Sequence, residues 1–151
     1  MQRELKQTRP FSSLTQEAFL GILRTADVLR RRLGQHLTPY DLTPQQYNVL
    51  RILRGAGSEG LPTLEIAERM IEEAPGITRL LDRIEAKGLV VRERSRKDRR
   101  QVFCWIAEPG LEILARLDPS VQELDAQGLG SLFEADLEQL IGLLDRVRTS
   151  G

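Results

Sequence analysis

Between Gly88 and Ala107 the chain reads LVVRER, then SRKDRR, then QVFCWI. The two outer runs are β-branched and aromatic enough to be strands, over residues 89–94 and 101–106. The six residues between them are polar and mostly charged, so the strands can pair as a hairpin with a cationic tip. An amphipathic helix precedes this hairpin, opened by Pro75 in its first turn, burying Ile77, Leu80, Leu81 and Ile84, and stopped by Gly88 at C′. Few folds place a basic β-ribbon directly after such a helix.

The rest of the chain reads as helices. Leu14, Ala18, Ile22, Ala26, Leu29, Leu33 and Leu37 recur in steps of four and three and predict a long helix over 12–37, with Ser13 and Gln16 as a capping box. Thr43-Pro44-Gln45-Gln46 supplies an N-cap, a first-turn proline and a capping-box glutamine for a second helix to about Arg54, with Tyr47, Leu50 and Leu53 inward. Residues 55–60 (GAGSEG) form a loop. Thr63 caps a short third helix holding Leu64, Ile66, Ala67 and Met70. After the hairpin, Glu108-Pro109-Gly110 starts a helix with Leu111, Leu114, Leu117, Val121 and Leu124 on one stripe, which Pro119 is expected to kink or break. Ser131 and Glu134 make another capping box, for a last helix carrying Leu137, Leu140, Ile141, Leu144 and Val147.

The order is α-α-α-α-β-β-α-α: mainly α with a small β-hairpin wing. The third and fourth helices have helix-turn-helix proportions, and the hairpin after them is the wing of a winged helix. One domain, 1–151, divides into a winged-helix DNA-binding region, 38–106, and a helical dimerisation region, 12–37 and 107–148. The stripes on the terminal helices exceed what one small winged helix covers, so they are expected to pack partly between two chains; the alternative is a monomer whose end helices cover their own core.

Charge follows the same division. The chain has 22 Lys/Arg and 22 Asp/Glu. That zero hides a net +5 over 74–106 and a net −6 over 107–151. A basic middle beside an acidic end suits a phosphate-facing surface, although a charged loop can also be merely solvated. Four cations, Arg96, Lys97, Arg99 and Arg100, crowd the hairpin turn, where they can lie along phosphates or enter a minor groove. The preceding helix would enter the major groove by its N-terminal end.

Other classes are disfavoured. No apolar run approaches ~18 residues, so no membrane span is expected, and the N-terminus has no secretory h-region. One cysteine and one histidine leave no disulfide framework and no zinc site built from several such residues, and suit a reducing, cytoplasmic setting. GAGSEG lacks the Gly-Lys-Ser/Thr of a phosphate loop, and no G-x-S-x-G elbow occurs, so no enzyme and no cofactor is expected.

The stretches LTPQQYNVLRIL, LPTLEIAERM and GITRLLDRIEAKGLVVRERSRKDRRQVFCWIAEPG resemble the MarR (multiple antibiotic resistance regulator) family of transcription factors, over roughly residues 12–148. Members are homodimeric winged-helix regulators, often repressors released by small phenolic or lipophilic ligands. The resemblance implies that Arg100 inserts in a minor groove while Asp98 holds the wing in shape, and that Pro75, Gly76, Thr78 and Arg79 face the major groove. Arg79 can read a guanine edge bidentately, Thr78 can meet a phosphate or a thymine methyl, and Arg83 either reaches a phosphate or pairs with Glu85 or Asp82. Pro75 and Gly76 offer only shape and backbone, so base readout is expected to be sparse, with DNA shape and the wing carrying much of the specificity. Thr43 and Thr63 cap helices and can also hand backbone N–H groups to phosphates. The operator would be a pseudo-palindromic duplex. His36, Tyr40 and Tyr47 cluster at the junction where the family holds its ligand cavity; ordinary packing explains each as well. Ala107 replaces a capping Thr, with Pro109 compensating. No cysteine stands where peroxide-sensing members carry one, and Cys104 reads as a small buried hydrophobe sooner than a sensor. The reading from another class is a winged-helix protein-interaction or small-molecule-binding module without DNA binding.

Overall fold

The computed structural model describes residues 1, 4–6, 8–94 and 101–149. Among the described residues six α-helices and three short strands follow in the order α1 (Leu14–Leu37), α2 (Pro44–Ala56), β1 (Leu61–Pro62), α3 (Thr63–Arg69), α4 (Ile77–Ala86), β2 (Val90–Arg94), β3 (Val102–Ile106), α5 (Glu108–Leu129) and α6 (Glu134–Thr149). The expected mainly helical, winged helix-turn-helix architecture is the one observed. β2 and β3 pair antiparallel from Val90↔Ile106 to Arg94↔Val102. β1 adds a third strand on the far side of β3, with Leu61 opposite Cys104. Two residues are too few to carry a period-two signal, and so this strand was not legible beforehand.

Several local predictions hold. Thr43 accepts from the Gln46 amide at 3.2 Å while Gln46 Oε1 accepts from the Thr43 amide at 3.1 Å, a complete capping box. Gly88 adopts φ +70°, its amide reaching the Glu85 carbonyl and that of Leu89 reaching Ile84, a Schellman end to α4. Pro109 lies in the first turn of α5 behind Ala107, which makes no side-chain cap.

Others are corrected. Pro75 is not in the first turn of α4. Ala74-Pro75-Gly76-Ile77 forms a turn, closed by the Ile77 amide on the Ala74 carbonyl at 3.1 Å, with Gly76 at φ +89°. Pro-Gly favours such a turn over helix because glycine alone accepts that backbone cheaply. Thr63 does not cap α3: the N-cap is Pro62, and Thr63 Oγ1 donates to the Val102 carbonyl at 3.2 Å, tying α3 to the wing. Leu64 points outward, 75% exposed. The Ser13–Gln16 box is half made: Ser13 caps the Gln16 amide, whereas Gln16 Oε1 turns to Ser12. The Ser131–Glu134 box is absent; α6 begins at Glu134, and the preceding Phe133 amide donates to Asp136 at 3.0 Å. Pro119 does not end α5, which continues to Leu129. Leu114 and Leu117 before it and Val121 after it are all buried, and packing on both sides outweighs a local cost of about 3 kcal/mol.

The core sits under the sheet, where Leu37, Val49, Leu50, Leu53, Ile66, Leu81, Ile84, Cys104, Leu114 and Leu117 have no exposed surface. α1, α2 and α5 thus pin the helix-turn-helix to the terminal helices. Cys104 is at its centre, and burial pushes its thiol up to about 11, so it stays protonated and unreactive at neutral pH. On the other face of β3 the Phe103 and Trp105 rings stack, and Trp105 Nε1 donates to the Ser58 carbonyl. Among the described residues no helix is long and apolar enough to cross a membrane.

Candidate nucleic-acid interface

α4 buries Leu81 and Ile84 and turns Thr78, Arg79, Asp82 and Arg83 to solvent, following helical spacing. Pro75 and Gly76 are exposed in the turn just before it. Among the described residues Arg79 and Arg83 have no hydrogen-bond or ion-pair partner. The acids that could have quenched Arg83 are taken elsewhere. Arg92, on β2, donates to Asp82 at 2.6 Å and to Glu85 at 2.5 and 3.0 Å. The Glu85 hydrogen bond, ahead of that to Asp82, raises the Arg92 pKa against the opposing effect of burial, so its charge is locked in. Two carboxylates beside the reading face are thereby engaged and half of their charge is offset, and α4 is fixed to the wing.

Arg92 was not among the sequence-derived site residues, yet a signal existed. In VVRER the even positions share the face of buried Val90, so Arg92 must reach over the inner face, under α4. Arg94 shares that face by the same alternation and ends β2 as an exposed cation. Arg96, Lys97, Asp98, Arg99 and Arg100 lie outside the described residues. Thr63, half-buried, is committed to its bond with Val102.

A cleft of about 610 Å3 opens between α1, α2, α5 and the segment joining α3 to α4, lined among others by Leu29, Leu33, Tyr47, Arg51, Ile71 and Leu124. Of the three junction residues, the structure brings only Tyr47 to it. Tyr47 is 4% exposed, and desolvation raises its phenol pKa, with the Arg51 guanidinium, 5.8 Å from the ring centre, acting in the opposite direction. Tyr40 packs at the edge of the core instead. His36 faces α5, its Nε2 lying 2.8 Å from Ser120 Oγ. Ser120 spends its one proton on the Leu117 carbonyl at 3.0 Å, so His36 Nε2 is the donor in that pair. Arg54 and Asp118 close a bidentate bridge at 2.7 and 3.1 Å between α2 and α5.

A profile of the MarR family matches residues 40–101. The crystal structure of a MarR transcription factor from Planctomyces limnophilus is 40% identical, with a TM-score of 0.70 over 90% of this chain and 98% of that one. The chain belongs to the MarR family. Its fold also matches a cysteine-to-serine mutant of MarR from E. coli, solved in complex with operator DNA, at 28% identity and a TM-score of 0.78 over 90% of this chain and 99% of that one. The transcriptional regulator HosA of Escherichia coli O157:H7 is 32% identical over 113 residues, 75% of this chain and 82% of HosA. As a MarR-family protein the chain is a transcriptional regulator, not an enzyme.

Proposed function

We propose that this MarR-family protein acts in the cytoplasm as a homodimer gripping a pseudo-palindromic operator duplex, with two α4 helices in successive major grooves and two wings on the flanking minor grooves. The observation that carries this reading is the α4 face, where Arg79 and Arg83 stand exposed and, among the described residues, unpaired, while Arg92 ties up the neighbouring acids. Arg79 and Thr78 contact base edges, Arg83 and Arg94 contact phosphates, and Arg96, Lys97, Arg99 and Arg100 supply the wing's charge, with Asp98 shaping its tip. Pro75, Gly76 and Thr63 set backbone shape at the groove, and sequence is read largely through DNA shape. The dimer rests on apolar surface that the single chain leaves bare: Leu14, Phe19 and Leu23 on α1, Phe133 ahead of α6, and Ile141 and Val147 on α6, a helix with no buried residue. The regulator is a repressor. An apolar or phenolic ligand in the cleft beside Tyr47 favours a conformer with misplaced α4 helices and lowers DNA affinity by its preference for that conformer.

Fluorescence anisotropy on a labelled duplex, taken as the tightest sequence selected from a randomised pool, tests the DNA reading. Affinity is expected to fall about a thousandfold or more between about 50 and 200 mM salt. Arg79→Ala should weaken binding by about 1–3 kcal/mol and relax preference at one base pair. Arg83→Ala should weaken all sequences alike and reduce the salt slope by about one. No salt-sensitive binding to any duplex would favour a protein-interaction module instead.

A further inference from the structure

We propose that Arg30, Glu72 and Asn48 are positioning residues that couple the α1 scaffold to the reading helix; this rests on α4 being the element that enters the groove. The segment from Met70 to Gly76 decides where α4 starts, yet of its residues only Met70 packs against the core. Ile71 is 81% exposed, and Glu73, Pro75 and Gly76 are exposed as well. Between Met70 and Ile77, which pack on the core, two polar tethers hold it. Asn48 Oδ1, on α2, accepts the Ile71 amide at 2.9 Å. Arg30 Nε, on α1, meets Glu72 Oε1 at 2.7 Å. Among the described residues this is the one ion pair between α1 and the stretch from Met70 to Ala86. All three side chains line the cleft, so the pair bridges its rim from the scaffold to the turn. α1 therefore holds the turn before α4 through a polar contact across the cleft, and whatever spreads the cleft pulls on that contact.

Both partners are about half exposed, so the pair adds little to global stability. Its effect lies in position. A loss of about threefold in DNA affinity per protomer, the scale of an exposed pair, becomes about tenfold in a dimer that uses two. Charge alone gives opposite signs for the two partners: removing Glu72 would strengthen attraction to phosphates, and removing Arg30 would weaken it. A tether makes both losses weaken binding.

The test compares the parent, Glu72→Gln, Arg30→Gln and the reversed pair Arg30→Glu with Glu72→Arg. Each is titrated against the duplex selected from a randomised pool and against a random-sequence duplex, while exchange of the Ile71 amide is followed by NMR. Both single variants are expected to bind the selected duplex about tenfold more weakly. Glu72→Gln should bind the random-sequence duplex at least as tightly as the parent, and the reversed pair should return to within about twofold of the parent on the selected duplex. The Ile71 amide should exchange about threefold faster in both single variants. Unchanged or tighter binding by Glu72→Gln overturns the coupling while leaving the DNA reading intact. If the parent enriches no duplex, that reading fails by itself, and unchanged Ile71 exchange in both variants then overturns the tether.

Discussion

Phe133→Glu combined with Ile141→Glu is expected to turn the protein into a monomer at micromolar concentration and to weaken binding to a two-half-site duplex by about a hundredfold or more. Phe133 is 82% exposed and Ile141 60% exposed in the single chain, so neither substitution reaches the buried core. Folding should therefore survive, with a circular dichroism spectrum and thermal midpoint close to those of a monomeric helical protein. In a dimer the same positions would place four carboxylates in apolar surroundings, where an unpaired buried charge costs several kcal/mol. The loss in DNA affinity follows from geometry: with one winged helix bound, the second half-site is no longer met at high effective concentration. Sedimentation velocity read beside anisotropy separates the two effects. A variant that sediments as the parent does would remove the end helices from the dimer interface.

Gly110→Ala and Gly55→Ala should act with opposite sign, although both sit in helices. A Cβ on Gly110 would lie 2.5 Å from the Leu89 carbonyl oxygen and 2.8 Å from Ile106 Cγ1. The first of these is backbone at the start of the wing and cannot swing away. The substitution is expected to destabilise by about 3 kcal/mol, the upper end for overpacking, and to lower the melting temperature by about 6–12 °C. Gly55, in the last turn of α2, has nothing within 4 Å of a built Cβ. Alanine there removes backbone freedom from the unfolded chain and should stabilise by about 0.5–1 kcal/mol. Paired urea melts of the two variants decide this. Equal shifts would mean that helix propensity governs both positions and that the close approach of α5 to the wing is soft.

The elements read most reliably from sequence were those whose signal is local and repeated. α1 and α5 carry long apolar stripes, α2 has a complete capping box, and β2 and β3 are β-branched runs around a charged turn. The failures share one cause. Thr63, Ser131 and Pro75 each fit a helix start by residue type, but at each place a competing hydrogen bond or turn decides otherwise. Thr63 has a strand carbonyl within reach, Asp136 satisfies the Phe133 amide just ahead of α6, and Gly76 lets Pro75 take a turn. Pro119 errs in the other direction, as burial of Leu114, Leu117 and Val121 carries the helix past it.

The candidate site divides in the same way. The exposure of Thr78, Arg79 and Arg83 was legible, because the apolar stripe of Ile77, Leu80, Leu81 and Ile84 leaves them on the other face. The disposal of Asp82 and Glu85 was not, because Arg92 reaches them across a turn and a strand.

The order of helices and strands, the capping that separates α1 from α2, the basic middle and the surplus of apolar surface at both ends were written in the sequence, since each depends on neighbours within a few residues. Which acids on α4 are engaged by Arg92, how the turn before α4 is tethered to α1, and which junction side chain faces the cleft were settled only by the folded chain. Those outcomes depend on charges and surfaces brought together from dozens of residues apart, and local pattern carries no record of such distances.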